Sequence, residues 1–203
     1  MRVFRLRNIL KLLPRVRTML SEAGIEPGSV NPSLLFPLLN GASLQDDEDL
    51  QTRWAALLAN AANPAKDPEV LPSFVEVLKN ISPDEARFLT RLFEYHAERN
   101  GLCDPRSLRS PDDFSLGTEA ALLQFTVTTR DEYQAALQSD DRRRIRMFLG
   151  NFGRLGIVRH RERTVPEVVF DSNPSRAITF DREYVLTPFG NSFLLACQPP
   201  VRH

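Results

Sequence analysis

Apolar residues recur at helical spacing over roughly the first half of the chain, and strand-like alternation appears only in the last third. Leu6, Ile9, Leu10, Leu13, Val16 and Leu20 mark one face of a first helix, while Arg7, Lys11 and Arg15 climb another at i, i+4. Pro14 removes a backbone donor and crowds the preceding turn, which predicts an end or kink near Leu13. Gly24, Pro27 and Gly28 then close the element. Asn31 to Ser43 reads as a short, mostly buried helix. Ser43 is the expected N-cap of the next, with Asp46 in the capping-box position and Leu50, Trp54, Leu57, Leu58 and Ala61 as one stripe ending before Pro64. Leu71 to Ile81 predicts a further short helix. Ser82 caps the one after it, with Pro83 at its first position, Glu85 reaching back, and Phe88, Leu89, Leu92 and Phe93 buried.

From residue 101 to residue 117 the pattern lapses into a stretch rich in proline, serine and aspartate, which reads as a linker between a helical domain at 1–100 and a second domain at 118–203. Glu119 to Phe125 and Asp131 to Leu137 read as two short helices. Asp141 to Leu155 is a third, with Ile145, Phe148, Leu149 and Phe152 on one face and Gly156 as its stop. Ile157, Val158 and the alternating run from Arg159 to Val165 predict a strand. A Pro/Asp/Asn/Ser-rich excursion follows, then a returning strand from Ala177 to Leu186 and a last helix opened by Pro188 and containing Phe189, Phe193 and Leu194. Three helices, a β-hairpin and a closing helix describe a winged helix-turn-helix. The expected fold is thus mainly α: a helical N-terminal domain, then a winged-helix-like domain with a β-hairpin.

Composition refines this outline. The 203 residues carry 26 basic and 26 acidic side chains and a formal net charge of zero. No apolar run is long enough for a bilayer-spanning helix, and two distant cysteines, Cys103 and Cys197, suit reduced, cytoplasmic chemistry. The zero is uneven along the chain. Residues 1–20 hold Arg2, Arg5, Arg7, Lys11, Arg15 and Arg17 without an acid, and residues 142–163 hold eight arginines against Glu162 alone. Two basic islands on an acidic body can bind polyanions locally despite the overall balance.

The second island coincides with the helix before the hairpin and with the start of the hairpin. Arg143, Arg146 and Arg154 fall opposite the apolar face of that helix, and Arg159, Arg161 and Arg163 line the first strand. Arginine there can clamp phosphates or pair with guanine edges, so these six are the candidate contacts to a nucleic-acid or protein partner. The blander reading is a solvated face paired with acids elsewhere. Gly150, Gly153 and Gly156 recur every third residue; glycines inside a helix cost about 1 kcal/mol each relative to alanine and suggest close approach of backbone or ligand.

For the first island three readings are open: a helix packed on the body with its cations in water, an anchor on anionic lipid through Arg7, Lys11 and Arg15, or an organellar presequence. The acids Asp46, Asp47, Glu48 and Asp49 suit the positive end of a helix dipole and have no His or Cys at ligand spacing, so neither a metal nor another cofactor is expected. No nucleophile elbow, phosphate loop or Cys–His pairing appears, and the chain reads as a non-enzyme.

Three stretches resemble the Abi-alpha family, bacterial proteins associated with abortive infection, in which an infected cell stops growing before phage spread. They are FPLLNGASLQDDEDLQTRWAALLANAANP (36–64), PSFVEVLKNISPDEARFL (72–89), and FGRLGIV (152–158) with YVLTPFGNSFLLAC (184–197). The resemblance implies a link to phage defence and assigns no reaction or catalytic residue. Its most specific positions here, Trp54, Asn60, Phe74, Ser82 and Pro83, read as core, cap and turn residues, and the resemblance weakens the presequence reading. The expected function is a phage-defence protein that binds a macromolecular partner, with nucleic acid as a candidate, through the arginine-rich winged-helix surface. The alternatives are a winged-helix transcriptional regulator and a membrane-surface effector using the basic first helix.

Overall fold

The structure, a computed structural model, describes residues 2–99, 115–118, 140–164 and 180–201. Among them lie seven helices and a three-stranded antiparallel sheet, so the protein is mainly helical. The chain divides into two compact units, Met1–Ser107 with Asn191–His203, and Leu108–Gly190.

The first unit contains α1 (Arg2–Glu22), α2 (Pro32–Leu44), α3 (Glu48–Ala62), α4 (Pro72–Asn80) and α5 (Pro83–Arg99). Helix α3 is its centre: every residue from Trp54 to Asn60 is buried, as expected of a helix covered on all sides. Helix α1 lies against α2 and α3, α2 also against α4, and α3 against α5. The Trp54 ring rests on Gly41 of α2, where an added Cβ would stand 2.4 Å from the ring.

Four local expectations are corrected here. Helix α1 runs unbroken through Pro14. Pro14 and Leu10 both sit on the exposed side, where water can take the carbonyl that the proline ring leaves unbonded, and packing on both sides of the site holds the helix together. Its buried face is Asn8, Leu12, Val16 and Leu20, whereas Leu6, Leu10 and Leu13 face outward. The register is set by a polar residue that periodicity does not weigh: Asn8 is buried and its Nδ2 donates to the Ser43 carbonyl at 3.0 Å. Finally, Ser43 does not cap α3. It lies inside α2 with its hydroxyl on the Asn40 carbonyl, and Asp47 caps α3 by accepting from the Leu50 N–H at 3.0 Å. Gln51 makes this possible, because its Nε2 donates to the Ala42 and Gln45 carbonyls at the end of α2. Helix α2 is also less buried than expected, with Phe36 69% exposed.

Elsewhere the local chemistry agrees with the sequence. The Ser82 N–H donates to Glu85 Oε2 at 2.7 Å and the Glu85 N–H to Ser82 Oγ at 3.2 Å, a reciprocal cap at the start of α5. The chain's last described residues belong with this unit: Phe193 meets Phe74 edge-on with ring centroids 5.7 Å apart, and Asn60 Nδ2 donates to the Ala196 and Gln198 carbonyls at 2.9 and 2.8 Å.

The second unit holds β1 (Ser115–Thr118), α6 (Asp140–Arg154), β2 (Val158–Thr164) and β3 (Phe180–Leu186); α7 (Pro188–Ala196) begins in it and continues into the first. Strand order is β1-β3-β2, with Val158 opposite Leu186, His160 opposite Tyr184 and Thr164 opposite Phe180. Strand β1 was not expected. It falls where the sequence places the end of the 101–117 linker, and four residues with a glycine and a bulge against β3 carry no readable period. Leu116, Ile145, Leu149, Phe152, Ile157, Val158, Val185 and Leu186 form the core of this unit. The expected helices at 119–125 and 131–137 and the hairpin tip lie outside the described residues, as does most of the 101–117 linker. No helix among the described residues is long and apolar enough to cross a membrane.

Candidate polyanion-binding cleft

Helix α6 presents two adjacent faces to the second unit. Ile145, Leu149 and Phe152 are buried at i, i+4 and i+7, while Arg146, Gly150 and Gly153 follow the same spacing one residue later. The helix ends where the Ile157 N–H reaches back to the Phe152 carbonyl and the Gly156 N–H to the Gly153 carbonyl, at 2.9 and 3.1 Å. This closure needs a left-handed residue, and Gly156 supplies it with φ +75°. The chain therefore turns directly into β2, which returns alongside α6. Thr187 fixes the far side: its N–H donates to the Ile157 carbonyl at 3.0 Å, and its hydroxyl accepts from the Gly190 N–H to start α7.

Between α6 and the sheet lies a cleft of about 670 Å³ lined by Arg146, Leu149, Gly150, Gly153, Val158, Arg159, His160 and Tyr184. Leu149 and Val158 form an apolar base, and Arg146, Arg159, His160 and Tyr184 supply polar groups. The helical wall is bare backbone: among the described residues a Cβ at Gly150 would meet nothing within 4 Å, and at Gly153 the nearest atom would be the Val158 carbonyl oxygen at 4.0 Å. Among the described residues, packing does not demand glycine at either position.

The sequence-predicted arginines divide sharply here. Arg146 and Arg159 are brought together on the cleft. Arg143 is exposed on α6 outside the lining, and Arg154 is exposed with its guanidinium on Asn151 Oδ1 at 2.8 Å. Arg161 bonds Glu183 Oε2 through Nε and Nη2 at 3.2 and 2.8 Å; Glu183 is buried, so this arginine neutralises a carboxylate within the sheet. Arg163 stands opposite Asp181 in the strand register, and its side chain lies outside the described residues. Tyr184 was missed because only strand register brings it beside His160. His160 carried no signal beyond its basic neighbours.

Of the readings open for the first basic island, the structure shows the helix packed on the body, with two of its cations engaged by an acid of α3 and not left in water. Lys11 Nζ pairs with Glu48 Oε1 at 3.1 Å, and Arg15 pairs with Glu48 Oε2 while donating to Thr52 Oγ1 at 2.9 Å. Arg15 first, then Lys11, holds the Glu48 carboxyl below the usual carboxylate range. These two cations thus fasten α1 to α3, and Arg7 lies over the Phe4 ring at 5.5 Å. The acidic run is equally engaged: Asp49, Asp84 and Asp47 converge on Arg87 at 2.9, 3.1 and 3.3 Å and raise its pKa. Among the described residues no three His, Cys, Asp or Glu side chains gather as they would around a metal ion. Cys197 is buried, and burial pushes its thiol up to about 12. Cys103 lies outside the described residues.

A mainly helical protein whose second unit carries a basic, glycine-walled cleft is the class these features define. The sequence profile of the abortive infection alpha family matches residues 7–197, nearly the whole chain, and the protein belongs to that family. No curated protein and no solved structure matches it.

Proposed function

We propose that the protein acts in abortive infection, in the cytoplasm, by binding nucleic acid through the cleft between α6 and β2, without catalysing a reaction. On this reading the second unit is a winged helix-turn-helix, with α6 as recognition helix and β2–β3 as wing. The observation that carries it is the meeting of Arg146 and Arg159, from two different elements, beside a helix wall stripped of side chains at Gly150 and Gly153. Guanidinium forks match phosphate oxygens bidentately. A bare helix wall lets a sugar–phosphate strand approach the backbone where a side chain would hold it away. Tyr184 and His160 add hydrogen-bonding groups and rings beside the same path. Family membership supplies the phage-defence context. A burial-silenced Cys197 and acids locked onto Arg87 and Glu48's partners favour binding over chemistry.

Fluorescence anisotropy with a labelled DNA duplex at low salt tests this. Wild type is expected to bind, and Arg146→Ala/Arg159→Ala to lose most of that affinity. Arg161→Ala should weaken binding far less in a variant that still folds, since Arg161 serves Glu183. Absence of binding by the wild type, or equal loss from every exposed arginine on the chain, would overturn the reading. A strong preference for one duplex sequence would move the function toward transcriptional regulation.

A further inference from the structure

Helix α1 buries one arc and leaves a second, apolar arc uncovered. Val3, Leu6, Leu10 and Leu13 are 82, 59, 61 and 44% exposed, and their spacing of three, four and three residues aligns them along one side of the helix. Single exposed apolar side chains are ordinary, but four in line make a stripe roughly 15 Å long. The inward arc is already satisfied by Asn8, Leu12, Val16 and Leu20, so core packing does not account for the outer one. The cations around the stripe are asymmetric. Lys11 and Arg15 are held by Glu48, whereas Arg2, Arg7 and Arg17 are exposed, Arg17 one turn beyond Leu13 on the same side. Glu22, the last residue of α1, is its only acid.

We infer that this outer face of α1 is a docking surface for an anionic lipid membrane, on which the helix lies flat with Val3, Leu6, Leu10 and Leu13 in the headgroup–acyl boundary. Charge complementarity selects the occupant. Two copies of this face brought together would set Arg2, Arg7 and Arg17 against the same cations with no acid to pair them. A lipid surface offers phosphates to the arginines and an apolar layer to the stripe at once. This surface differs from the one expected of Arg7, Lys11 and Arg15: two of those cations point to α3, and Arg2 and Arg17 take their place.

Cosedimentation of the full chain with phosphatidylglycerol-containing vesicles, against pure phosphatidylcholine vesicles, is the test. Each arginine near an anionic surface is worth about a factor of five, so the three together predict a preference of roughly a hundredfold for the anionic vesicles. Leu6→Ser/Leu10→Ser should abolish pelleting, and Arg2→Gln/Arg7→Gln/Arg17→Gln should remove the preference for anionic lipid. All these side chains are exposed, so unchanged helical circular dichroism is expected and is checked alongside. No pelleting by the wild type, or pelleting unchanged in Leu6→Ser/Leu10→Ser, would overturn the inference. So would a dimer, seen by light scattering without lipid, that Leu6→Ser/Leu10→Ser dissolves, since the stripe would then be covered by a second copy.

Discussion

Gly150 shows at one residue how stability and function separate. A helix-interior glycine costs about 1 kcal/mol relative to alanine, and here a Cβ meets nothing within 4 Å among the described residues. Gly150→Ala should therefore stabilise the protein by about 1 kcal/mol in urea unfolding while weakening nucleic-acid binding. A variant that is stabilised and binds as well as wild type would show that the bare wall is not used. Cys197 gives a second residue-scale prediction. Its ordinary pKa of 9.0 is raised to about 12 by burial, so the folded state holds the proton where the unfolded state releases it. The stability this group contributes is complete below 9.0 and lost as pH rises toward 12. In a Cys103→Ser background, iodoacetamide at mildly alkaline pH should leave Cys197 unmodified until urea unfolds the protein; rapid labelling of the folded chain would contradict its burial. At this scale the sequence was informative where chemistry is local. The Ser82–Glu85 cap and the Gly156 stop were legible because their partners lie within a turn. Ser43 misled because its competitor Asp47 also satisfies the capping rule, and the choice was made by Gln51 reaching back to α2.

Among the elements, α1 carries the most instructive difference. Periodicity grouped Leu6, Ile9, Leu10, Leu13, Val16 and Leu20 on one face, and the structure splits that group: Val16 and Leu20 are buried with Asn8 and Leu12, while Leu6, Leu10 and Leu13 face outward. The buried register is the one in which Asn8 finds a carbonyl in α2 and Lys11 and Arg15 can reach Glu48. That clamp is acid-sensitive. The Glu48 carboxyl is held below its usual range by Arg15 and Lys11, so its contribution is present above the ordinary carboxylate value and lost as pH falls through the lowered one. The protection of α1 amides, exchange taken relative to the intrinsic rate at each pH, should therefore fall on strong acidification, and Glu48→Gln should show reduced α1 protection already at neutral pH; identical protection in the two proteins at neutral pH would remove the clamp from the account. Strand β1 marks the opposite limit of sequence reading. Its pairing with β3 joins segments far apart in the chain, and four residues offer no period from which to infer it. For the same reason the cleft was half legible. Arg146 and Gly150 could be placed on one helix face by counting, but Tyr184 required the register of β2 against β3.

At the scale of the whole molecule, two compact units divide the labour. The first is built around α3, and the family-like residues Trp54, Asn60, Phe74, Ser82 and Pro83 serve its architecture: Trp54 and Phe74 fill the core, Ser82 and Pro83 start α5, and Asn60 holds the carbonyls that follow α7. Asn60→Ala would leave two carbonyls without their donor and should lower stability by about 2 kcal/mol or more in urea, with little change in nucleic-acid affinity. A loss well under that figure would mean water replaces the amide freely. The second unit gathers Arg146 and Arg159 on one cleft, and on the proposed reading this local basic concentration is what lets a chain of zero net charge bind a polyanion. The most direct test of that central claim is the salt dependence of duplex binding by wild type and by Arg146→Ala/Arg159→Ala. If both arginines neutralise phosphates, the slope of log affinity against log salt should be shallower in the variant by about 1.8. A slope unchanged by the two substitutions would contradict the assignment of the cleft as the nucleic-acid site.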